Sequence, residues 1–220
     1  MVINSNSGKL IDFEGIDGSG KSEQFSRTIN FLQAYYPKLN FVSTKEPTKD
    51  PSGVEIYEIL NGRHATEELS LMHRFHFQSF YFKNRIHHRK RLVNPSLEKG
   101  THVISDSGVA SGSFGIKSPK DFPAVIGIQE QMFLSAEVPF IWPDLILIFD
   151  VDVSIAMERL KQKGIVLDQF EKEDNLRRVS GNYLAFAGTY QNCQVIDGTR
   201  TPEQVFTEVK RFIYPVLRLD

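Results

Sequence analysis

The sequence predicts a three-layer α/β fold, with about five parallel strands flanked by helices. Three observations carry that expectation. Short apolar stretches alternate with segments of helical spacing along the whole chain, which implies a parallel sheet wrapped on both faces. The run Leu145–Phe149 is continuously apolar rather than alternating, the pattern of a strand buried on both sides. Leu10, Ile11 and Phe13 lead directly into a glycine-rich turn and then into a helical pattern (Phe25, Ile29, Leu32), a strand–loop–helix unit.

The elements follow in order. Pro37 closes the first helix after about Tyr36, and Asn40–Ser43 reads as a second strand. The stretch from Thr44 to Gly53 is rich in turn residues, and short helical segments follow near Val54–Leu60. A long helical pattern runs from Thr66 to about Arg91 and should break at Asn94-Pro95, where Pro95 can open a shorter helix ending at Gly100. His102–Asp106 is an apolar strand ending in a carboxylate, and the Gly- and Ser-rich segment Ser107–Lys120 reads as a loop. A helix around Ala124–Ala136 precedes the buried strand. Asp152 can cap the next helix, which places Val153, Met157 and Leu160 on one face and ends at Gly164. A helix over Glu173–Tyr190 and a strand over Gln194–Asp197 follow. Thr201-Pro202-Glu203-Gln204 is a capping box opening the final helix, which buries Val205, Val209, Phe212 and Val216.

Composition narrows the function. The 220 residues, 40% of them hydrophobic, suffice for one domain over 1–220, and no linker or repeat divides them. A net charge of -1 gives no case for nucleic acid or a membrane as partner. A lone cysteine, Cys193, suits a reducing, cytoplasmic setting, and it reads as a small buried apolar residue. The N-terminus has no apolar signal core, and no run is long enough to span a bilayer. His64, His73, His76 and His102 form no Cys/His/acid cluster with zinc spacing.

The chemistry concentrates in Gly15-Ile16-Asp17-Gly18-Ser19-Gly20-Lys21-Ser22, which fits G-x-x-x-x-G-K-[ST], a phosphate-binding loop. Gly15, Gly18 and Gly20 allow backbone N–H groups to close on phosphate oxygens beside Ser19, and the following helix adds its N-terminal dipole. Lys21 can reach the β- and γ-phosphates of ATP, and the Ser22 hydroxyl can ligate Mg²⁺. A chance Lys-Ser after a glycine turn is disfavoured because strand, loop and helix all stand where the motif requires them. Asp106, at a strand end, is the candidate carboxylate holding Mg²⁺, with Asp150 its rival. Tyr81 and Arg85 share one helix face at i, i+4. The segment His87–Arg91 reads as a solvated basic helix end.

From Phe13 to Ser22 the chain resembles the opening of thymidylate kinases, which pass a phosphoryl group from ATP to dTMP, and the likeness continues from Lys9 to Leu217. Thr44-Lys45-Glu46-Pro47 is similar to T-R-E-P, Phe82–Arg85 to A-[ND]-R, and Pro95–Gly100 to P-A-L-E-x-G ahead of D-R-Y. Pro143 to Asp152 resembles P-D-L-x-x-x-L-D-V-D, and Leu167–Glu171 falls where the family's lid carries D-R-x-E. The resemblance implies a P-loop nucleotide kinase with ATP and Mg²⁺, a homodimer built on the long helix, and a lid over about 161–172. It further implies Asp17 facing the acceptor sugar, Tyr81 stacking on a pyrimidine, Arg85 bonding its edge, and Asp106 rather than Asp150 at the metal. It puts Lys21, Asp106 and Arg85 in catalysis and Asp17, Lys45, Tyr81 and Arg85 against the acceptor. Besides Lys45 for the arginine of T-R-E-P, the chain departs from the pattern where D-R-Y reads Asp106-Ser107-Gly108, where Gln169 replaces an arginine, Glu23 a threonine and Gly115 a tyrosine. Lys45, Arg85, Lys117, Lys161 and Lys163 are the cations that can compensate. The departures keep two alternatives in view, a nucleotide-binding sensor or scaffold with little turnover and a kinase for another acceptor.

Overall fold

The structure, a computed structural model, describes residues 2–60, 71–164 and 173–219. Its parallel five-stranded sheet has the order β2-β3-β1-β4-β5. The strands are β1 (Leu10–Gly15), β2 (Phe41–Lys45), β3 (His102–Asp106), β4 (Leu145–Asp150) and β5 (Cys193–Asp197). Between and after them run α1 (Lys21–Tyr35), α2 (Val54–Leu60), α3 (Leu71–His88), α4 (Asn94–Glu98), α5 (Phe122–Ser135), α6 (Val153–Gln162), α7 (Glu173–Thr189) and α8 (Pro202–Leu217). The expected lid position Gln169 and the start of the long helical pattern lie outside the described residues.

The core sits on both faces of the sheet. Leu145, Leu147 and Phe149 of β4 join Leu32 of α1 and Val205, Val209 and Ile213 of α8 in one cluster. Ile146 and Ile148, pointing the other way, join residues of α5 and α7 such as Phe133, Val179 and Phe186. A strand apolar on both sides is thus covered on both sides, which is why its sequence does not alternate. Asp152 caps α6 by accepting the Ser154 N–H at 2.8 Å, and Thr201 with Gln204 forms the capping box of α8.

The break expected at Asn94-Pro95 is replaced by something else. From His88 the chain runs through a π-helical turn, Arg89–Val93, straight into α4. Pro95 has no N–H to donate, and its ring would collide with the carbonyl four residues back. Widening the preceding turn, with Asn94 N–H reaching Arg89 O, relieves that conflict without ending the helix. His88, the last residue of α3, and Arg89, the first of the π-turn, are 3% and 1% exposed, so the basic stretch is only partly solvated. The segment after β3 is likewise no open loop: it coils into a 3₁₀ stretch, Val109–Phe114, with Val109, Ala110 and Ser113 buried.

Candidate active site

Because β2 and β4 lie on opposite sides of the β1–β3 pair, the crevice for a ligand opens at the carboxyl ends of these central strands. Register places the functional residues side by side there: Phe13 pairs with Asp106, and Lys45 pairs with Asp106. The phosphate loop leaves β1 at Gly15, whose φ of 148° only glycine takes readily. Gly18 has no room for a side chain either, since a Cβ would lie 2.4 Å from the Ala156 carbonyl of α6. Arg159 of α6 donates to the carbonyls of Gly18 at 3.3 Å and Gly198 at 3.0 Å, fixing the loop from behind. The Glu23 and Gln24 N–H groups both reach the Gly20 carbonyl at 3.1 Å, while the Lys21 and Ser22 amides ahead of them have no carbonyl four residues back within α1 and are the donors an anion can take.

Lys21 forms an ion pair with Asp106 Oδ1 and stands 3.3 Å from Ser107 Oγ. Lys45 Nζ lies 3.5 Å from the other Asp106 oxygen with its side chain 59% exposed, so one buried carboxylate sits between two ammonium groups. Ser19 Oγ is buried without a partner among the described residues, Asp17 is exposed on the loop, and Ser22 is exposed in the first turn of α1. An orphaned hydroxyl, a glycine cradle and a lysine at a helix N-terminus fit a triphosphate. Ser22 and Asp106 are hard oxygen donors suited to Mg²⁺, a cation that would need further oxygen ligands besides these two. No group of three or more His, Cys, Asp or Glu among the described residues could hold a metal without such help.

A family model described as thymidylate kinase matches residues 13–209. The chain belongs to the thymidylate kinase family. Among curated relatives, the thymidylate kinase of Thermosipho melanesiensis is 30% identical, the match covering 94% of this chain and 98% of that one. The probable thymidylate kinase of Pyrobaculum aerophilum is 32% identical over 95% and 98%, and the thymidylate kinase of Methylobacillus flagellatus 33% over 92% and 95%.

The acceptor-side residues named from the thymidylate kinase resemblance are placed as follows. Tyr81 is half-buried, one turn before Arg85. Arg85, 1% exposed, is enclosed by protein: Nε pairs with Glu46 Oε2 at 2.5 Å, and the other nitrogens donate to Gln129, Ser111 Oγ and the Gly108 carbonyl. In this state Arg85 therefore presents its guanidinium to the segment after β3 rather than to an open pocket. Asp150 is engaged by Ser180 Oγ at 3.3 Å, away from the Lys21–Asp106 pair.

Sequence reasoning missed the acids beneath this surface. Asp12, Glu14 and Glu46 are all buried. Burial opposes the charge of Glu46, but the Arg85 guanidinium and His88 outweigh it and hold the carboxyl down at about 2. For Glu14 burial dominates and, with Asp12 adding repulsion, pushes it up to about 8 against the attraction of Lys21 and Arg85. Burial likewise lifts Asp12 to about 6, opposed chiefly by Arg89. The available signal was position: the strand feeding a phosphate loop lies mid-sheet, so acids alternating along it have no water to face.

Proposed function

We propose that this chain transfers the γ-phosphoryl group of ATP to a deoxynucleoside monophosphate, dTMP, yielding ADP and dTDP. The observation that carries this reading is the convergence of Lys21, Asp106 and Lys45 at the ends of adjacent strands beside a glycine cradle. The family membership and the names of the relatives support the same reaction. The Gly15–Ser22 amides and Lys21 would hold the donor phosphates, and Ser22 and Asp106 would hold Mg²⁺, which would supply positive charge against the oxygens of the transferred group. A bound triphosphate would compete with Asp106 for the Lys21 ammonium.

The acceptor approaches from the side of β2 and α3, where Lys45 supplies positive charge in place of the arginine that is absent at Ser107. Arg85 braces the segment after β3, Tyr81 offers its ring to the base, and Asp17 borders the sugar. A phosphate acceptor is already anionic, so no side chain has to act as a strong base. The chain works as one domain with a lid segment at about 161–172, in the cytoplasm, as a homodimer joined through α3, without nucleic acid or membrane. Among the described residues no helix is long and apolar enough to cross a membrane. A coupled ADP-release assay across deoxynucleoside monophosphates tests the reading: turnover should be fastest with dTMP. Preference for another acceptor would reassign the substrate, and no turnover on any would leave only nucleotide binding.

A further inference from the structure

The two faces of β1 differ. Ile11 and Phe13 enter the apolar cluster under α1 and α8, whereas Asp12 and Glu14 point the other way and are fully buried there. Glu14 Oε1 accepts the backbone N–H groups of Gly108 at 2.9 Å and Ser111 at 3.1 Å. Its Oε2 accepts the hydroxyl of Tyr183, on α7, at 3.1 Å. Asp12 Oδ2 accepts the Val109 N–H at 3.3 Å, and the approach is so close that a Cβ on Gly108 would meet that oxygen at 2.0 Å. From the opposite side Arg85 takes the Gly108 carbonyl, and Asn182 of α7 takes the Ser113 carbonyl at 3.0 Å. The segment that follows Asp106 is therefore held by its backbone polar groups, and the acid that gathers most of them is the residue directly before Gly15.

An isolated buried carboxylate is expensive, and well-packed apolar residues of similar volume often serve stability equally well. What an apolar residue cannot do is fix the register of two loops. We propose that Glu14 is a positioning residue for the second substrate: through Gly108, Ser111 and Tyr183 it sets where the segment after Asp106 stands relative to the phosphate loop. This rests on the phosphoryl-transfer reading above. Reacting atoms must be held within a narrow range, and a misplacement of about 1 Å can cost about 100-fold in rate. The groups facing Glu14 are Asp12 on β1, Lys21 on α1, Arg85 on α3, Tyr183 on α7 and Cys193 on β5.

The test compares Glu14→Ala, Glu14→Gln and Tyr183→Phe in the full chain. Glutamine keeps one oxygen for both backbone N–H groups and can donate its amide to the Tyr183 oxygen, whereas alanine abandons all three partners. Glu14→Ala should lower kcat/KM for dTMP by about 100-fold, with affinity for a fluorescent ATP analogue changed less than about threefold. Glu14→Gln should restore most of the loss, and amide exchange at Gly108 and Ser111 should quicken in the alanine variant alone. Equal losses in acceptor kcat/KM and in ATP-analogue affinity, or no loss in either, would overturn the proposal. If Glu14→Ala does not fold, Tyr183→Phe decides: a fall of several-fold in acceptor kcat/KM supports the role, and an unchanged value rejects it. Failure of wild-type protein to phosphorylate any monophosphate would reject the functional reading instead. Amide exchange would then still judge Glu14, with equal rates in wild type and Glu14→Ala counting against it.

Discussion

At the scale of single residues, the site is a competition for one carboxylate. Lys21 and Lys45 both sit on Asp106, and an arriving triphosphate offers Lys21 a more highly charged partner. Lys21→Ala should abolish ATP-dependent turnover while thermal unfolding stays within a few degrees of wild type, since the ammonium contacts Asp106 and Ser107 rather than the apolar core. Ser107 is the more informative position. Its φ of 74° is left-handed, and Ser already bears the steric cost of that conformation, so an arginine there adds little backbone strain. An arginine at a transferring phosphoryl group is worth roughly 10³–10⁵ in rate. If Lys45 has taken over that charge, Ser107→Arg should leave dTMP turnover flat or lower it, and Lys45→Ala should cut it by at least tenfold. Steady-state kinetics on the two variants decide: a large gain in Ser107→Arg with Lys45→Ala silent would mean the charge had simply been lost.

At the scale of elements, local chemistry was legible wherever a local rule decides. The strand–loop–helix unit around Gly15–Lys21, the Asp152 cap, the Thr201–Gln204 box and the buried strand Leu145–Asp150 all stand as their sequences indicate. The capping box carries a measurable consequence. Thr201→Ala leaves the first amides of α8 without that side-chain acceptor and should cost about 1 kcal/mol in urea unfolding. Legibility ended where a residue's surroundings come from distant chain. A run such as His87–Arg91 looks like a solvated helix end, and its sequence does not reveal that distant chain meets it, His88 contacting Glu46 and Arg89 the Ile141 carbonyl. Alternating acids on β1 look like a wet face, and only the sheet order, which puts β3 and β4 on either side, buries them. Ser107–Lys120 reads as a loop because its glycines and serines do not reveal that Glu14, Arg85 and Asn182 will bind its backbone.

At the scale of the whole molecule, the buried acids couple folding to pH in opposite directions. Glu46, held down at about 2, contributes stability above its unfolded value of 4.5 that is lost as pH falls toward 2. Glu14, raised to about 8, binds a proton more tightly folded than unfolded, so stability declines as pH rises from 4.5 to about 8 and is level beyond. Chemical denaturation across that window should show a shallower decline for Glu14→Gln than for wild type. Parallel curves would mean that Glu14 ionises as freely in the folded chain as in the unfolded one. The sheet brings Lys21, Lys45 and the Asp106 carboxylate together at the ends of adjacent strands, and phosphoryl transfer to dTMP is the reaction of the family the chain belongs to. The measurement that addresses this most directly follows the label from γ-³²P-ATP in the presence of Mg²⁺ and dTMP. The label should appear in dTDP, with little in inorganic phosphate and none in dTDP for Lys21→Ala. Label remaining in ATP, or passing to water while dTMP stays unphosphorylated, would contradict it.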